Sequence, residues 1–311
     1  MDHADDDDDA VFVYMGGNQE VPPDVRRIRV HKDVKIITAR AFQGCYNLVS
    51  IELHDGVEII EIYAIEDCYS LRRIKLPGVR DIGNGAFDNS TSLTDVEFGN
   101  KLARIREHAF AYTNLGSIRL PKVRFIQSRA FANCYQLAAV ELSEDLLTIG
   151  EWAFLECPSL RRIALPLKDN LFVGDDVFYE CEDLSQVDLV GGIHKTVSSL
   201  LLDSWRNHMN DEIDRINREL PNTHHSNKTA AIQRWMERVL ERMEQFKREH
   251  YTLLKEDMTL LELALWKANL PNIDAAARHN ARVTCGANII IPHVLSFLND
   301  DDVFPLLNQS V

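Results

Sequence analysis

Seven times between Arg40 and Leu184 the chain repeats one phrase: an aliphatic or Ala–Phe step, a small polar or Cys residue, then Leu. The steps are Ala41-Phe42, Ala64-Ile65, Ala86-Phe87, Ala109-Phe110, Ala130-Phe131, Ala153-Phe154 and Val177-Phe178, spaced 21 to 24 residues apart. Self-similarity at this period describes a solenoid, in which each unit packs only on its neighbours. Five buried apolar side chains per unit supply roughly 8 to 15 kcal/mol, whereas ordering ~23 residues costs on the order of 35 kcal/mol. A lone unit therefore cannot fold, and the units must come in series.

Within each unit the phrases Val25–Val30, Leu48–Leu53, Leu71–Leu76, Leu93–Phe98, Leu115–Leu120, Leu137–Leu142, Leu160–Leu165 and Leu184–Leu189 place apolar residues at the fourth and sixth positions with polar ones between. That period of two predicts a short strand with one buried face. Eight such strands make a parallel sheet roughly 38 Å long at ~4.8 Å per strand. A turn follows, often with Pro or Gly, and then a second inward position at Ile37, Ile60, Ile82, Ile105, Ile126, Ile149 and Val173.

The pattern L-x-x-I-x-L-P…I-x-x-x-A-F-x-x-C-x-x-L, cleanest in Leu71–Leu93 and Leu115–Leu137, resembles the BspA-type leucine-rich repeat. The resemblance covers about residues 25 to 190. It implies an α/β leucine-rich-repeat solenoid with a parallel sheet, whose usual role is protein binding and whose motif holds no catalytic residue. Three departures stand out: Ile65 in place of Phe, a unit one residue short between Phe110 and Leu115, and an extended turn at Leu167–Phe172.

Beyond Leu189 the period becomes helical. Leu202, Trp205, Met209, Ile213, Ile216 and Leu220 mark one amphipathic helix ending at Pro221. Ile232, Met236, Val239, Met243, Phe246, His250 and Leu253 step by four and three, a heptad seam on a second helix over 228–255. Together they predict an antiparallel hairpin closing the last coil, with Leu200, Leu201 and Leu202 in the lid. The alternative is a homodimer through 228–255. Thr259-Leu-Leu-Glu262 has capping-box spacing and predicts a fresh helix from Leu260 to about Asn269. The expected division is an acidic disordered tail over 1–20, the solenoid over 21–192 and an all-helical C-terminal region over 193–311.

The net charge is −14, and Asp2 with Asp5–Asp9 supplies six of those charges. That balance argues against nucleic acid or an anionic membrane as partner. The acidic N-terminal stretch lacks the charge-then-apolar order of an export signal, which points to the cell interior, cytoplasmic or nuclear. Cys45, Cys68, Cys134, Cys157 and Cys181 occupy one repeat position, shared with Ser90 and Thr113, and read as stacked buried thiols rather than a metal site. Cys285 has no place in that ladder. His224-His225 falls in a polar loop. No catalytic, metal or cofactor site is expected.

One strip of side chains faces outward from the strands. At the fifth strand position the chain reads Arg29, Glu52, Lys75, Glu97, Arg119, Glu141, Ala164, Asp188. The alternating signs predict a neutralised ladder, each charge between two opposite ones. Arg27, Arg73 and Arg162, at the third position, are then left over to meet an acidic protein partner. The expected function is a non-enzymatic protein-binding or scaffold module. An assembly protein joined through the helical arm comes second, and a surface adhesin or an enzyme follows.

Overall fold

A computed structural model describes residues 11–190 and 202–269. After a first strand β1 (Val11–Tyr14), longer and shorter strands alternate: β2 (Arg27–Val30), β3 (Ile36–Ile37), β4 (Ser50–Glu52), β5 (Ile59–Ile60), β6 (Arg73–Leu76) and β7 (Asp81–Ile82). The series runs on through β8 (Asp95–Phe98), β9 (Arg104–Ile105), β10 (Ser117–Arg119), β11 (Phe125–Ile126), β12 (Ala139–Glu141) and β13 (Thr148–Ile149). It closes with β14 (Arg162–Leu165), β15 (Phe172–Val173) and β16 (Gln186–Leu189). All pairings are parallel. The short strands form one seven-stranded sheet from β3 to β15, so the second inward position is itself part of a continuous ladder.

The long strands form three segments: β1-β2-β4, β6-β8 and β10-β12-β14-β16. Two interruptions coincide with two of the three departures in the repeat. The coil between β4 and β6 carries Ile65 where its neighbours carry Phe, and the coil between β8 and β10 is the shortened one. The extended turn at Leu167–Phe172 leaves β14 and β16 in register over four residues, because the extra length is taken up outside the strands. Strand β1 also corrects the expected tail, since residues 11–14 pair with β2. Val11–Tyr14 alternates outward and inward like the repeat strands, and Tyr14 is fully buried against Phe42 at 4.9 Å.

Phe87, Phe110, Phe131, Phe154 and Phe178 stack face to face at 4.9, 5.3, 5.4 and 5.9 Å, all fully buried. Stacked rings at this spacing are worth about 0.5–1.5 kcal/mol beyond their buried area. Beside them the cysteine position donates to a phenylalanine carbonyl one coil back: Cys134 Sγ to Phe110 O at 3.2 Å, Cys157 to Phe131 at 3.2 Å, Cys181 to Phe154 at 3.1 Å. Ser90 Oγ does the same to Ile65 O at 2.8 Å. Thr113 Oγ1 instead donates to Phe110 O within its own coil at 2.8 Å, and in both arrangements a small donor, thiol or hydroxyl, suits the position. The five ladder cysteines are free and buried, and burial pushes the Cys45 thiol up to about 11.

Two residues around each phenylalanine position adopt left-handed backbone, as at Arg40 and Gly44, Tyr63 and Asp67, Arg129 and Asn133. Non-glycine residues pay roughly 1–2 kcal/mol each for this. The return is a third inter-coil ladder: the amides of Arg40, Phe42 and Gly44 donate to the carbonyls of Ile62, Ala64 and Glu66 in the next coil, and the arrangement repeats down the stack.

Asp88 sits directly after Phe87, with Oδ1 buried and without a partner. Burial first, then Glu66, raises its carboxyl to about 6. A carboxyl raised in the folded state favours folding at low pH, and that contribution is lost as pH climbs from about 4 through 6. Asp88→Asn should therefore stabilise the protein at pH 7.5 by on the order of 1 kcal/mol, discounted for partial exposure. The gain over wild type should vanish by pH 4. Paired thermal melts across that range check it; an unchanged difference between the two proteins would count against the assignment.

Helix α1 runs Leu202–Glu219 and α2 runs Lys228–Asn269, joined by short 3₁₀ turns at Leu220–Asn222 and His225–Asn227. The expected new helix at Leu260 is corrected: α2 is one helix of 42 residues, and the capping-box sequence lies inside it. No Gly or Pro interrupts 228–269, so nothing stops the helix there. His224 is exposed and His225 meets Tyr179 edge-on at 5.6 Å. Leu200, Leu201 and Cys285 lie outside the described residues, and the side chains of Leu202, His250 and Leu253 are not described.

The chain divides into two compact units, one of them the solenoid together with Asp211–Arg238. The first unit's leading segment ends at Gly192, as expected from the sequence, and Asp211–Arg238 is grouped with it, so the hairpin's inner half belongs with the solenoid. The reason is chemical. In successive coils the phenylalanine-position amide donates to the next coil's carbonyl, ending with Phe154 N to Val177 O; Phe178 N instead donates to Thr229 Oγ1 at 2.9 Å. Ile149 O accepts from Gly174 N, whereas Val173 O accepts from Gln233 Nε2 at 3.0 Å. Val187 N donates to Asn217 Oδ1 at 2.7 Å, and buried Lys228 Nζ donates to Cys181 O at 3.0 Å and Leu184 O at 2.8 Å. Side chains on the helices stand in for the backbone of a missing coil.

In the second unit Trp205 packs edge-on to Phe246 at 5.2 Å and Arg242 lies over the same ring at 4.7 Å. Met209 and Met243 are buried with them.

Candidate protein-binding face

Strand alternation fixes which side chains leave the core. Ile28, Ile51, Ile74, Ile118, Val140, Ile163 and Val187 point inward, and their neighbours point out. The outward charges pair in register across each ladder segment: Arg29 with Glu52 at 2.6 Å, Lys75 with Glu97 at 2.7 Å, Arg119 with Glu141 at 3.0 Å. The Glu52 carboxyl is held below its usual range by the Arg29 hydrogen bond, and the Lys75 ammonium is raised by Glu97.

The expected continuous ladder is corrected to separate dyads. Each pair lies within one sheet segment, and the pairs fall on either side of the interruptions. Arg73 and Arg162 are not left over either. Arg73 Nε lies 3.8 Å from Asp95 Oδ2, and Arg162 Nε bonds Asp188 on the next strand. Ala164 explains the second: it faces Asp188 in register without a partner to offer, so Arg162 reaches diagonally across. Arg27, outward on β2, also has an interaction of its own.

Small residues shape the C-terminal half of this face. Ser117, Ala139 and Ala164 form the floor of a trough of about 410 Å³, flanked by Arg119, Glu141 and Arg162, with Leu189 and Val190 at its end. Sequence reasoning missed the trough. The available signal was the run of small residues at outward strand positions 117, 139 and 164, masked by attention to charge. It also missed Asn217, Lys228, Thr229 and Gln233, which read as an ordinary polar helix face.

A family model described as the BspA type leucine rich repeat region matches residues 23–138 and 105–210, with six copies. The chain belongs to that family. BspA-type and other leucine-rich-repeat proteins are generally protein-interaction or surface scaffold modules. Solved structures similar to this BspA-type chain include a T. pallidum leucine rich repeat protein, 29% identical over 50% of this chain and 64% of that one, TM-score 0.38. Another is a Bacteroides ovatus leucine-rich repeat protein, 24% identical over 54% and 56%, TM-score 0.39. A Faecalibacterium prausnitzii leucine rich cell surface protein is 21% identical over 53% and 67%, TM-score 0.32. The chain thus spans less than two thirds of the first two. No curated protein matches it. Among the described residues, no helix is long and apolar enough to cross a membrane.

Proposed function

We propose that this chain is a non-enzymatic protein-binding module that recognises a protein partner through the exposed strand face. The observation that carries the reading is the division of labour along β10–β16. Inward residues complete the core, while the outward ones leave a shaped trough of mixed polarity with both charge signs on its walls. Five free buried thiols support a reducing compartment inside the cell. The net charge favours protein over nucleic acid or anionic lipid as partner.

Two variants test it by affinity capture with the full chain as bait. Arg73→Glu/Arg162→Glu reverses face charges, and Ala139→Arg fills the trough. Arg73 and Arg162 are exposed, so their reversal should change stability by no more than about 1 kcal/mol per site, and thermal melts check that the half-buried Ala139→Arg variant stays folded. Captured partner should fall at least about tenfold with either variant. Equal capture by all three proteins would remove the reading.

Assembly through 228–255 is the second reading. Ile232, Met236, Val239, Met243 and Phe246 are already buried within the single chain, which places it behind the first. It requires light scattering to show a dimer for the full chain that is lost in a chain ended at Arg238.

A further inference from the structure

Between each phenylalanine-position residue and the next Leu the coil turns a corner. The corner segments 43–47, 66–70, 88–92, 111–114, 132–136, 155–159 and 179–183 contain no Lys, Arg or His. All the cations of the repeat region lie elsewhere on the coil. In their place stand Tyr46, Tyr69, Tyr112 and Tyr135, each 40–54% exposed, and a set of carboxylates.

At the N-terminal end these are organised. The Tyr46 and Tyr69 rings stack at 5.2 Å with planes 10° apart. The Tyr69 hydroxyl donates to Asp67 Oδ1 at 3.0 Å, and Asn89 Nδ2 donates to the same oxygen at 2.7 Å. Glu66, Asp67 and Asp88 bring three carboxylates to this edge; burial first raises Glu66 and Asp88, with neighbouring carboxylates adding to it and the Gln43 hydrogen bond and Arg40 opposing it at Glu66. Tyr69 is raised by its bond to Asp67.

Exposed, pre-ordered tyrosines offer large contact area at low entropic cost, and their faces attract cations. Carboxylates beside them fix the sign of the partner. The chain supplies its own instance of a cation at a corner: at the seventh the Lys228 ammonium is seated on the carbonyls of Cys181, Glu182 and Leu184, where burial lowers its pKa and Asp183 and Glu182 only partly oppose that. Size points the same way. A strand face ~38 Å long and ~13 Å wide offers roughly 500 Å² by strand dimensions, short of the ~800 Å² per partner that a stable interface uses. The corner that leads directly into each strand is the adjoining surface.

We propose that the Tyr46–Tyr69 edge, with Glu66 and Asp67, is a docking strip for a lysine- or arginine-bearing segment of a protein partner. The proposal rests on the protein-binding reading and extends its contact surface around the corner.

The test is fluorescence anisotropy with a labelled peptide of alternating Lys and Gly, titrated with full-length protein at physiological salt. Tyr46→Ala/Tyr69→Ala and, separately, Glu66→Gln/Asp67→Asn should each weaken binding at least about tenfold, while thermal melts report that both remain folded. The second pair is isosteric and carries the test if the first fails to fold. The tail variant Asp5→Asn/Asp6→Asn/Asp7→Asn/Asp8→Asn/Asp9→Asn, and Arg73→Glu/Arg162→Glu, should not weaken binding. If the tail variant abolishes binding and the strip variants do not, the attraction is to net charge alone and the proposal falls. Absence of peptide binding overturns it too, yet leaves the strand-face capture result standing, so the two failures are distinguishable.

Discussion

A chain ended at Gly192 should aggregate or melt at least about 10 °C below a chain ended at Arg238, and the latter should unfold as cooperatively as the full protein. The truncation removes every group that completes the last coil: Thr229 Oγ1 on Phe178 N, Gln233 Nε2 on Val173 O, Asn217 Oδ1 on Val187 N and Lys228 Nζ on the final corner. Each backbone group left without its partner in a semi-buried place costs about 1–3 kcal/mol. Ile216, Leu220, Ile232 and Trp235, all fully buried, are lost as well, at about 1.5–3 kcal/mol apiece. The sum is comparable with the whole stability of an ordinary domain, about 5–15 kcal/mol, so local fraying is not a sufficient outcome. Calorimetry of the two truncated chains decides. Equal melting temperatures would mean that the helices are an appendage.

Phe131→Ala should destabilise the protein by about 3–5 kcal/mol. The ring is fully buried between Phe110 at 5.3 Å and Phe154 at 5.4 Å, and both interplanar angles are 4°. Removing it takes away two stacked pairs together and leaves a cavity walled by rings that are themselves held by the adjoining coils. Relaxation into the gap is blocked by the inter-coil amide bonds on either side, from Phe110 N to Ala130 O and from Phe131 N to Ala153 O. Phe172→Ala is the matched control: that side chain is 61% exposed, and its loss should cost no more than about 0.5 kcal/mol. Urea unfolding separates them, with a lowered midpoint for the first variant and an unchanged slope for both. A small effect at Phe131 would place the stack outside the stabilising core.

What could be read without coordinates was what periodicity encodes. Inward rows at Ile28, Ile37 and Phe42 repeat because every coil presents the same wall to its neighbours, so their burial follows from spacing alone. The left-handed corners at Arg40, Tyr63, His108, Arg129 and Trp152 were not legible. Of these residue types only histidine is enriched in that backbone, and the bonds that impose it come from the next coil. Charge order predicted partners but not their grouping: where the ladder is interrupted at the coils holding Ile65 and the shortened Phe110–Leu115 corner, side chains pair within segments. Thr259-Leu-Leu-Glu262 shows the converse error, a local start signal overridden by helix-forming residues on both sides. Lys228 is the clearest omission, since a lysine opening a helix looks solvated until the last corner's carbonyls are seen to converge on it. The small residues of the trough were visible in letters, yet only the strand register sets Ser117 beside Ala139 and places Ala164 opposite Glu141.

The claim beneath all of this is that residues 211–238 serve as the final coil, completing the stack and leaving its lateral surfaces free for a partner. Amide hydrogen exchange at Phe178 and Val187 in the full chain tests it most directly. Both should exchange as slowly as Phe154, whose amide is held by Val177 O, to within about tenfold. Exchange at the rate of an unstructured chain, while Phe154 stays protected, would contradict it.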